Sequence, residues 1–288
     1  MALVDREGRE TIAARLDRQA DTPRFSPDGT RVAFRTPAPN CDIWVRDLAR
    51  GTSVRVTREE DNHGAVWWPD GTRVLSARVG SGGTEIIALP ADGGGAPEVV
   101  ATMPGALGAI PTSWASTSQS VLVQDRFSQR TGTDIVTIAA QGGEQKTLLN
   151  GPSEEGGGVV SPDGQFVAYV SDESGRNEVY VRPYSGQGQR TLVSTSGGIE
   201  PVWSRTGEEL FFRNGRDVLA VNMKSAAGAA SLVPRVLFSG DYPIGPVVAN
   251  YDVMPDGKRF LMMKGSQWPE GQVVVVLNWF SQLKGTGK

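Results

Sequence analysis

Phe25-Ser-Pro-Asp-Gly-Thr-Arg-Val-Ala-Phe34 is a stretch that the chain keeps repeating. It returns as Trp67-Trp-Pro-Asp-Gly-Thr-Arg-Val-Leu-Ser76, as Val160-Ser-Pro-Asp-Gly-Gln-Phe-Val-Ala-Tyr169 and as Val253-Met-Pro-Asp-Gly-Lys-Arg-Phe-Leu-Met262. Two looser copies fill the gaps: Trp114-Ala-Ser-Thr-Ser-Gln-Ser-Val-Leu-Val123 and Trp203-Ser-Arg-Thr-Gly-Glu-Glu-Leu-Phe-Phe212. Their centres, Asp28, Asp70, Thr117, Asp163, Thr206 and Asp256, are 42, 47, 46, 43 and 50 residues apart. Six copies at that period nearly fill the 288 residues, and a fixed period in this range marks a repeat architecture.

Each copy makes local physical sense. Pro presets φ for a turn, Asp bonds the nearby backbone, and Gly takes the left-handed position. Apolar residues then alternate with others, as at Val32 and Phe34 or Val167 and Tyr169, which is the strand period. A second β-rich run follows each turn: Asp42–Leu48, Glu85–Leu89, Asp134–Ile138, Glu178–Val181, Asp217–Val221 and Val273–Leu277. A third run follows in five repeats, at Val54–Thr57, Glu98–Ala101, Lys146–Leu149, Arg190–Val193 and Arg235–Phe238. With the short stretch before each turn, this gives four strands per repeat. The expected fold is all-β: one domain over residues 1–288, a six-bladed β-propeller of four-stranded antiparallel blades.

The chain ends bear on how the ring closes. The sixth repeat offers Tyr251–Val253, Phe260–Met263 and Val273–Leu277 but lacks a fourth strand at its C-terminal end. A β-capable segment within residues 1–16 precedes the first repeat and is expected to complete the last blade. The competing reading is a short amphipathic helix over Glu10–Ala20, since Ile12 and Leu16 are four apart.

Composition narrows the function. Net charge is −3, so nothing attracts nucleic acid in general. No apolar run reaches the ~20 residues a spanning helix needs, and Met1–Glu10 carries no signal-peptide apolar region; a soluble chain, or a soluble piece of something larger, is expected. There is one Cys and one His. That argues against a disulfide, a Cys-based zinc site and a His-rich metal site alike. No Gly-x-Ser-x-Gly elbow occurs for a hydrolase triad.

The Ser-Pro-Asp-Gly turns followed by Val-Ala-Phe, then Asp42-Ile-Trp-Val45, resemble the WD-like repeat of TolB-type propellers. The stretch Ser171 to Tyr184, with Glu200-Pro-Val-Trp-Ser204, Asn250-Tyr-Asp-Val253 and Leu277-Asn-Trp-Phe280, resembles the C-terminal propeller of bacterial membrane-bound Ser/Thr protein kinases. Ser116-Thr-Ser118 and Arg205-Thr-Gly207 depart from Pro-Asp-Gly, and Trp68 and Met254 replace the usual Ser. Kinase motifs are missing, so the resemblance implies a sensor or scaffold part, fused in a parent protein to a membrane-bound kinase, with an extracytoplasmic location.

In such a ring the innermost strand runs into each Pro-Asp-Gly turn. The loops entering these strands, with those between second and third strands, gather at the opposite face around the channel mouth. They carry Asp21, Asn62, His63, Glu154, Glu155, Glu200 and Asn250, and Arg35, Arg126, Arg130, Arg176, Arg213 and Arg216. The candidate binding set is Asp21, Asn62, His63, Glu155, Glu200, Asn250, Arg176 and Arg213. It suits a polar protein or peptide partner of mixed charge. No cofactor, metal or catalytic residue is assigned. His63 reads as a hydrogen-bonded structural residue, the consecutive Glu154 and Glu155 as solvated, and the Gly156–Gly158 run as a flexible loop; Cys41 is given no redox role. Trp44, Trp67, Trp114 and Trp203 read as packing residues. The expected function is a non-catalytic protein- or ligand-binding module working through its channel mouth. The alternative left open is a metal-dependent hydrolase or lyase with carboxylates in the channel.

Overall fold

A computed structural model describes residues 1–37, 41–58, 61–128, 132–143, 145–223, 232–245 and 248–265. Strands β1 (Ala2–Asp5) and β2 (Glu10–Ile12) come first. Five complete blades follow. Blade 1 is β3 (Asp21–Phe25), β4 (Arg31–Thr36), β5 (Asp42–Asp47) and β6 (Ser53–Arg55); blade 2 is β7 (Asp61–Trp67), β8 (Arg73–Gly80), β9 (Gly83–Pro90) and β10 (Glu98–Pro104). Blade 3 is β11 (Ala109–Ala115), β12 (Ser120–Ser128), β13 (Gly132–Ala139) and β14 (Lys146–Leu149); blade 4 is β15 (Glu155–Val160), β16 (Phe166–Ser171), β17 (Glu178–Pro183) and β18 (Thr191–Leu192). Blade 5 is β19 (Ile199–Trp203), β20 (Glu209–Asn214), β21 (Asp217–Asn222) and β22 (Arg235–Ser239), and β23 (Tyr251–Val253) and β24 (Arg259–Met262) end the series. Every sheet has four antiparallel strands, and no α-helix occurs among the described residues. In particular, no helix there is long and apolar enough to cross a membrane.

The sixth blade is shared by both chain ends, in the order β2-β1-β24-β23. Closure by the N-terminal segment is as the repeat arithmetic required, but two strands supply it. Ala2 pairs with Met262 and Val4 with Phe260, so β1 takes the third place that the sequence reading gave to Val273–Leu277. That run, like Leu277-Asn-Trp-Phe280, lies outside the described residues. Glu10–Ile12 pairs with β1 as the outer strand, against the helical alternative for Glu10–Ala20. The physical reason is that Ile12 is 67% exposed, so the Ile12–Leu16 pair offers no buried helical face, whereas the backbone of Glu10–Ile12 completes a ladder with β1.

Buried side chains form six clusters, one at each interface between neighbouring blades. Val4, Phe260 and Met262 pack with Phe211 and Phe238 of blade 5, while Leu261 and Met263 pack with Phe25 and Phe34 of blade 1. Trp67 and Trp203 use their indole N–H to tie blades, donating to Arg24 O at 2.9 Å and Val159 O at 3.1 Å. Trp114 packs on Trp68 with ring centroids 4.7 Å apart, and Trp44 lies under the Arg18 guanidinium.

The repeated turns do what their residues dictate. Ser26 donates to Asp28 at 2.5 Å, and Asp28 accepts the Thr30 N–H at 3.0 Å. Gly29, Gly71, Gly164, Gly207 and Gly257 take positive φ. The third turn lacks Gly, and there Gln119 takes the left-handed angle (φ 47°).

A polar latch fastens the closure. Arg6, in the β1–β2 turn, donates to Gly257 O from Nε (3.0 Å) and forms a bidentate pair with Glu209 of blade 5, which also binds Arg235. Arg6→Ala is expected to cost about 1–3 kcal/mol in urea unfolding, whereas Arg9→Ala, whose side chain is 77% exposed, changes little.

The hydrogen bond from the Ser26 hydroxyl, then the Thr30 N–H, lowers the Asp28 carboxyl from 3.8 to about 2. A depressed carboxyl stabilises the fold above its unfolded value and loses that contribution as pH falls through the folded one. The melting-temperature gap between wild type and Asp28→Asn is therefore expected to be full at neutral pH and to close between roughly pH 4 and 2.

Candidate functional site

The mouth is shaped by a defect repeated in the inner strands. The pairing of β3, β7, β11, β15 and β19 with their second strands breaks register once in each. At four of these bulges a residue takes positive φ: Thr22 (49°), Gly64 (72°), Gly157 (64°) and Glu200 (58°). Such a bulge bends the strand and turns its N–H outward. The Thr22 N–H is received by Asn250 Oδ1 at 2.8 Å, and the Gly157 N–H by Gln124 Oε1 at 2.8 Å, each on the preceding blade. At Gly64 the neighbours leave no room for a side chain, since a Cβ would stand 2.7 Å from Pro111 O.

Four of the sequence-selected residues meet where blades 5, 6 and 1 join. Glu200 Oε1 accepts the Gly245 and Asn250 N–H groups at 2.7 and 2.9 Å, and Oε2 faces Arg213 Nη1 at 3.3 Å. Arg213 also donates to the carbonyls of Tyr242, Pro243 and Gly215. Asn250 donates to Pro243 O at 3.0 Å. Asp21 holds Arg35 by two bonds of 2.6 and 2.8 Å. Burial pushes the Glu200 carboxyl up, with Arg213 and the two N–H groups pulling the other way. A non-glycine residue in the left-handed region is strained, and Thr22 and Glu200, flanking Asn250 from either side, are both in it.

Of the remaining four, Asn62 and His63 belong to blade 2 and Glu155 and Arg176 to blade 4. His63 bridges Arg35 (Nδ1, 2.9 Å) and Asp61 (Nε2, 3.0 Å), in keeping with its hydrogen-bonded reading, and the neighbouring Asn62 N–H donates to Cys41 O at 2.9 Å. In blade 4, Glu155 is buried and accepts the Gly151 N–H at 2.8 Å; burial raises its carboxyl, reinforced by Asp134 and Glu173. The solvated reading of the pair thus fits only Glu154, which is exposed and receives the Thr133 N–H. Gly156–Gly158 is strand rather than loop, because β15 packs so closely that a Cβ on Gly158 would meet Ile135 at 2.8 Å. Arg176 stays on the surface, paired with Glu178.

Asp21, Asn62, Glu155, Glu200, Asn250 and Arg213 are therefore interior ties, while Arg176 and part of His63 face solvent. The exposed charges of the rim include Arg176, Arg216, Asp241 and Lys264. Arg130 lies outside the described residues. A concavity of about 1390 Å³ opens between residues 10–20 and the loops at 241–244 and 263–265, lined by Ala14, Leu16, Tyr242, Ile244 and Met263 among others.

Sequence reading passed over Arg24 and Asp61 and gave Cys41 no redox role. Arg24 lies on β3, enclosed by protein, and donates from Nη1 to Pro23 O and Ala249 O; burial lowers its pKa. Cys41 leads into β5 of blade 1 and Asp61 starts β7 of blade 2, both at the mouth ends of their strands, a signal available once the blades are numbered. Burial, then the hydrogen bond to Asp61, pushes the Cys41 thiol up to about 11.

No protein-family model and no curated protein matches the chain. Solved structures do. A TolB protein from Agrobacterium tumefaciens superposes with TM-score 0.70 at 19% identity, covering 92% of this chain and 98% of that one. An oligogalacturonate lyase in complex with manganese gives 0.57 at 14%, covering 83% and 69%. A nidogen/laminin complex gives 0.58 at 12%, covering 84% and 82%. At these identities the likeness concerns the fold, which is TolB-like and six-bladed.

Arg213 is 1% exposed, so removing its partner strands a buried charge. Glu200→Ala is expected to cost about 3–5 kcal/mol in urea unfolding, and the double change Glu200→Ala with Arg213→Met to recover part of that loss.

Proposed function

We propose that the chain is a non-catalytic binding propeller whose mouth rim docks a polar protein or peptide partner of mixed charge. The observation that carries this reading is the division of charge at the mouth. Asp21, Glu155 and Glu200 are buried and accept hydrogen bonds, so they do not present the free carboxylate pair that acid–base chemistry needs. Arg176, Arg216 and Asp241, by contrast, have side chains 58%, 68% and 81% exposed around it. Exposed charges of both signs around the mouth favour registration with a partner of complementary pattern. The TolB-like fold and the likeness to a propeller within a nidogen/laminin complex support a binding role. The sequence resemblance to kinase-linked propellers supports a sensor or scaffold part within a larger protein.

A second reading, a metal-dependent lyase or hydrolase, is favoured by the likeness to the manganese-bound oligogalacturonate lyase. The saturation of Glu200 and Asp21 weighs against carboxylate chemistry at this position.

Charge reversal separates the two faces. Arg176→Glu with Arg216→Glu is expected to weaken partner capture by about tenfold, two lost pairs at ~0.7 kcal/mol each, while Asp70→Lys on the opposite face leaves it unchanged. Equal capture by all three proteins would remove the rim from consideration.

A further inference from the structure

The chain owns one thiol and one imidazole, and the fold puts them in the same place. Cys41 immediately precedes β5 in blade 1, and Asp61 and His63 lie two apart on β7 of blade 2, a spacing that points both to one side of a strand. Cys41 Sγ, an Asp61 carboxylate oxygen and a His63 ring nitrogen all lie within 4.8 Å of one another. Among the described residues, no other three His, Cys, Asp or Glu side chains converge this way. The two segments are fixed to each other by the 2.9 Å bond from Asn62 N–H to Cys41 O.

We propose that Cys41, Asp61 and His63 bind a divalent transition-metal ion of the zinc class. The donor set decides the class. Sulfur, imidazole nitrogen and a single carboxylate suit a borderline-soft ion that takes four ligands, whereas calcium and magnesium demand six or more oxygens. Ligands 2.0–2.3 Å from a tetrahedral centre stand roughly 3.3–3.8 Å apart. The His63 Nε2 to Asp61 Oδ2 separation is 3.0 Å, and Cys41 has to close in by only about an ångström. Three protein ligands leave the fourth position open. It faces the mouth, since the Asp61 side chain is 55% exposed and that of His63 22%. Composition argued against a Cys-based site and a His-rich site separately; a mixed site needs only one of each.

Arg35 is the competing cation. Its Nη1 donates to His63 Nδ1 at 2.9 Å, which puts the ring proton on Nε2 toward Asp61. An ion on Nε2 replaces that proton, and Nδ1 then carries one and needs an acceptor. Arg35 must therefore release the ring, held meanwhile by Asp21 through Nε and Nη2. Replacing the pair together, Asp21→Asn with Arg35→Gln, removes the competing charge and supplies an acceptor for Nδ1–H. This variant is expected to bind zinc more tightly than wild type.

The test uses the whole chain stripped of metal, titrated with Zn²⁺ by calorimetry and with Co²⁺ by absorption. One ion per chain is expected, with a thiolate-to-cobalt charge-transfer band and the intense ligand-field bands of a tetrahedral site. Cys41→Ser abolishes the charge-transfer band, and Cys41→Ser, Asp61→Asn and His63→Gln each weaken Zn²⁺ binding by about tenfold or more. Circular dichroism of each variant confirms folding. In wild type, Zn²⁺ also slows reaction of the thiol with a thiol reagent, a measurement that needs no variant. Zinc binding unaltered in Cys41→Ser, a cobalt spectrum without the thiolate band, or no protection of the thiol overturns the proposal.

Discussion

Everything in this molecule depends on covering the two apolar faces of each four-stranded sheet. The period of two along a strand sends alternate residues to opposite sides, and β24 shows the result: Phe260 and Met262 enter the interface with blade 5, while Leu261 enters the interface with blade 1. A slip of one residue would exchange those sets and present the wrong shapes to both neighbours. No blade is complete alone, because each face finds its cover only on the next blade. The ring is the arrangement in which no face is left over.

The mouth follows from this packing. Bringing six inner strands together at one end crowds backbone groups that have lost their ladder partners at the bulges. Polar side chains around the mouth receive two of these groups and nearby loop N–H groups, which is how Asn250 and Gln124, and Glu200, spend their acceptors on neighbouring segments. The inner mouth is thus a seam between blades. What remains for the outside is the set of charges one step further out, Arg176, Arg216 and Asp241 among them.

The repeat made most of this architecture legible. Pro, Asp and Gly in the turns act through local chemistry, so their meaning survives without knowledge of the rest of the chain. Lys146–Leu149 and its counterparts were visible for the same reason. The two-strand closure was less so, because Val273–Leu277 is the more apolar run and only pairing with β24 gives Ala2–Asp5 the third place. At the mouth, the sequence placed Asp21, Glu200, Asn250 and Arg213 together through equivalent repeat positions. It did not show that they would be buried, since the carbonyls that enclose Arg213 come from Tyr242 and Pro243, in a loop with no repeat signature. Cys41 was set aside and His63 kept only as a mouth residue, each read alone, because their adjacency exists only across a blade boundary.

The shared sixth blade has a consequence for synthesis. β1 leaves the ribosome ahead of all five complete blades, yet its partner β24 lies more than 250 residues later. At about 5–20 residues per second, the early strand waits roughly 10–50 seconds with its hydrogen-bonding edge unclaimed. Blades 1 to 5 can gather during that interval, but the first and last of them keep a greasy flank open until the C-terminal pair arrives. Nascent chains are therefore most exposed to mispairing just before the circle is sealed, and Ala2–Asp5 is the segment whose early capture by a stranger would do the greatest harm.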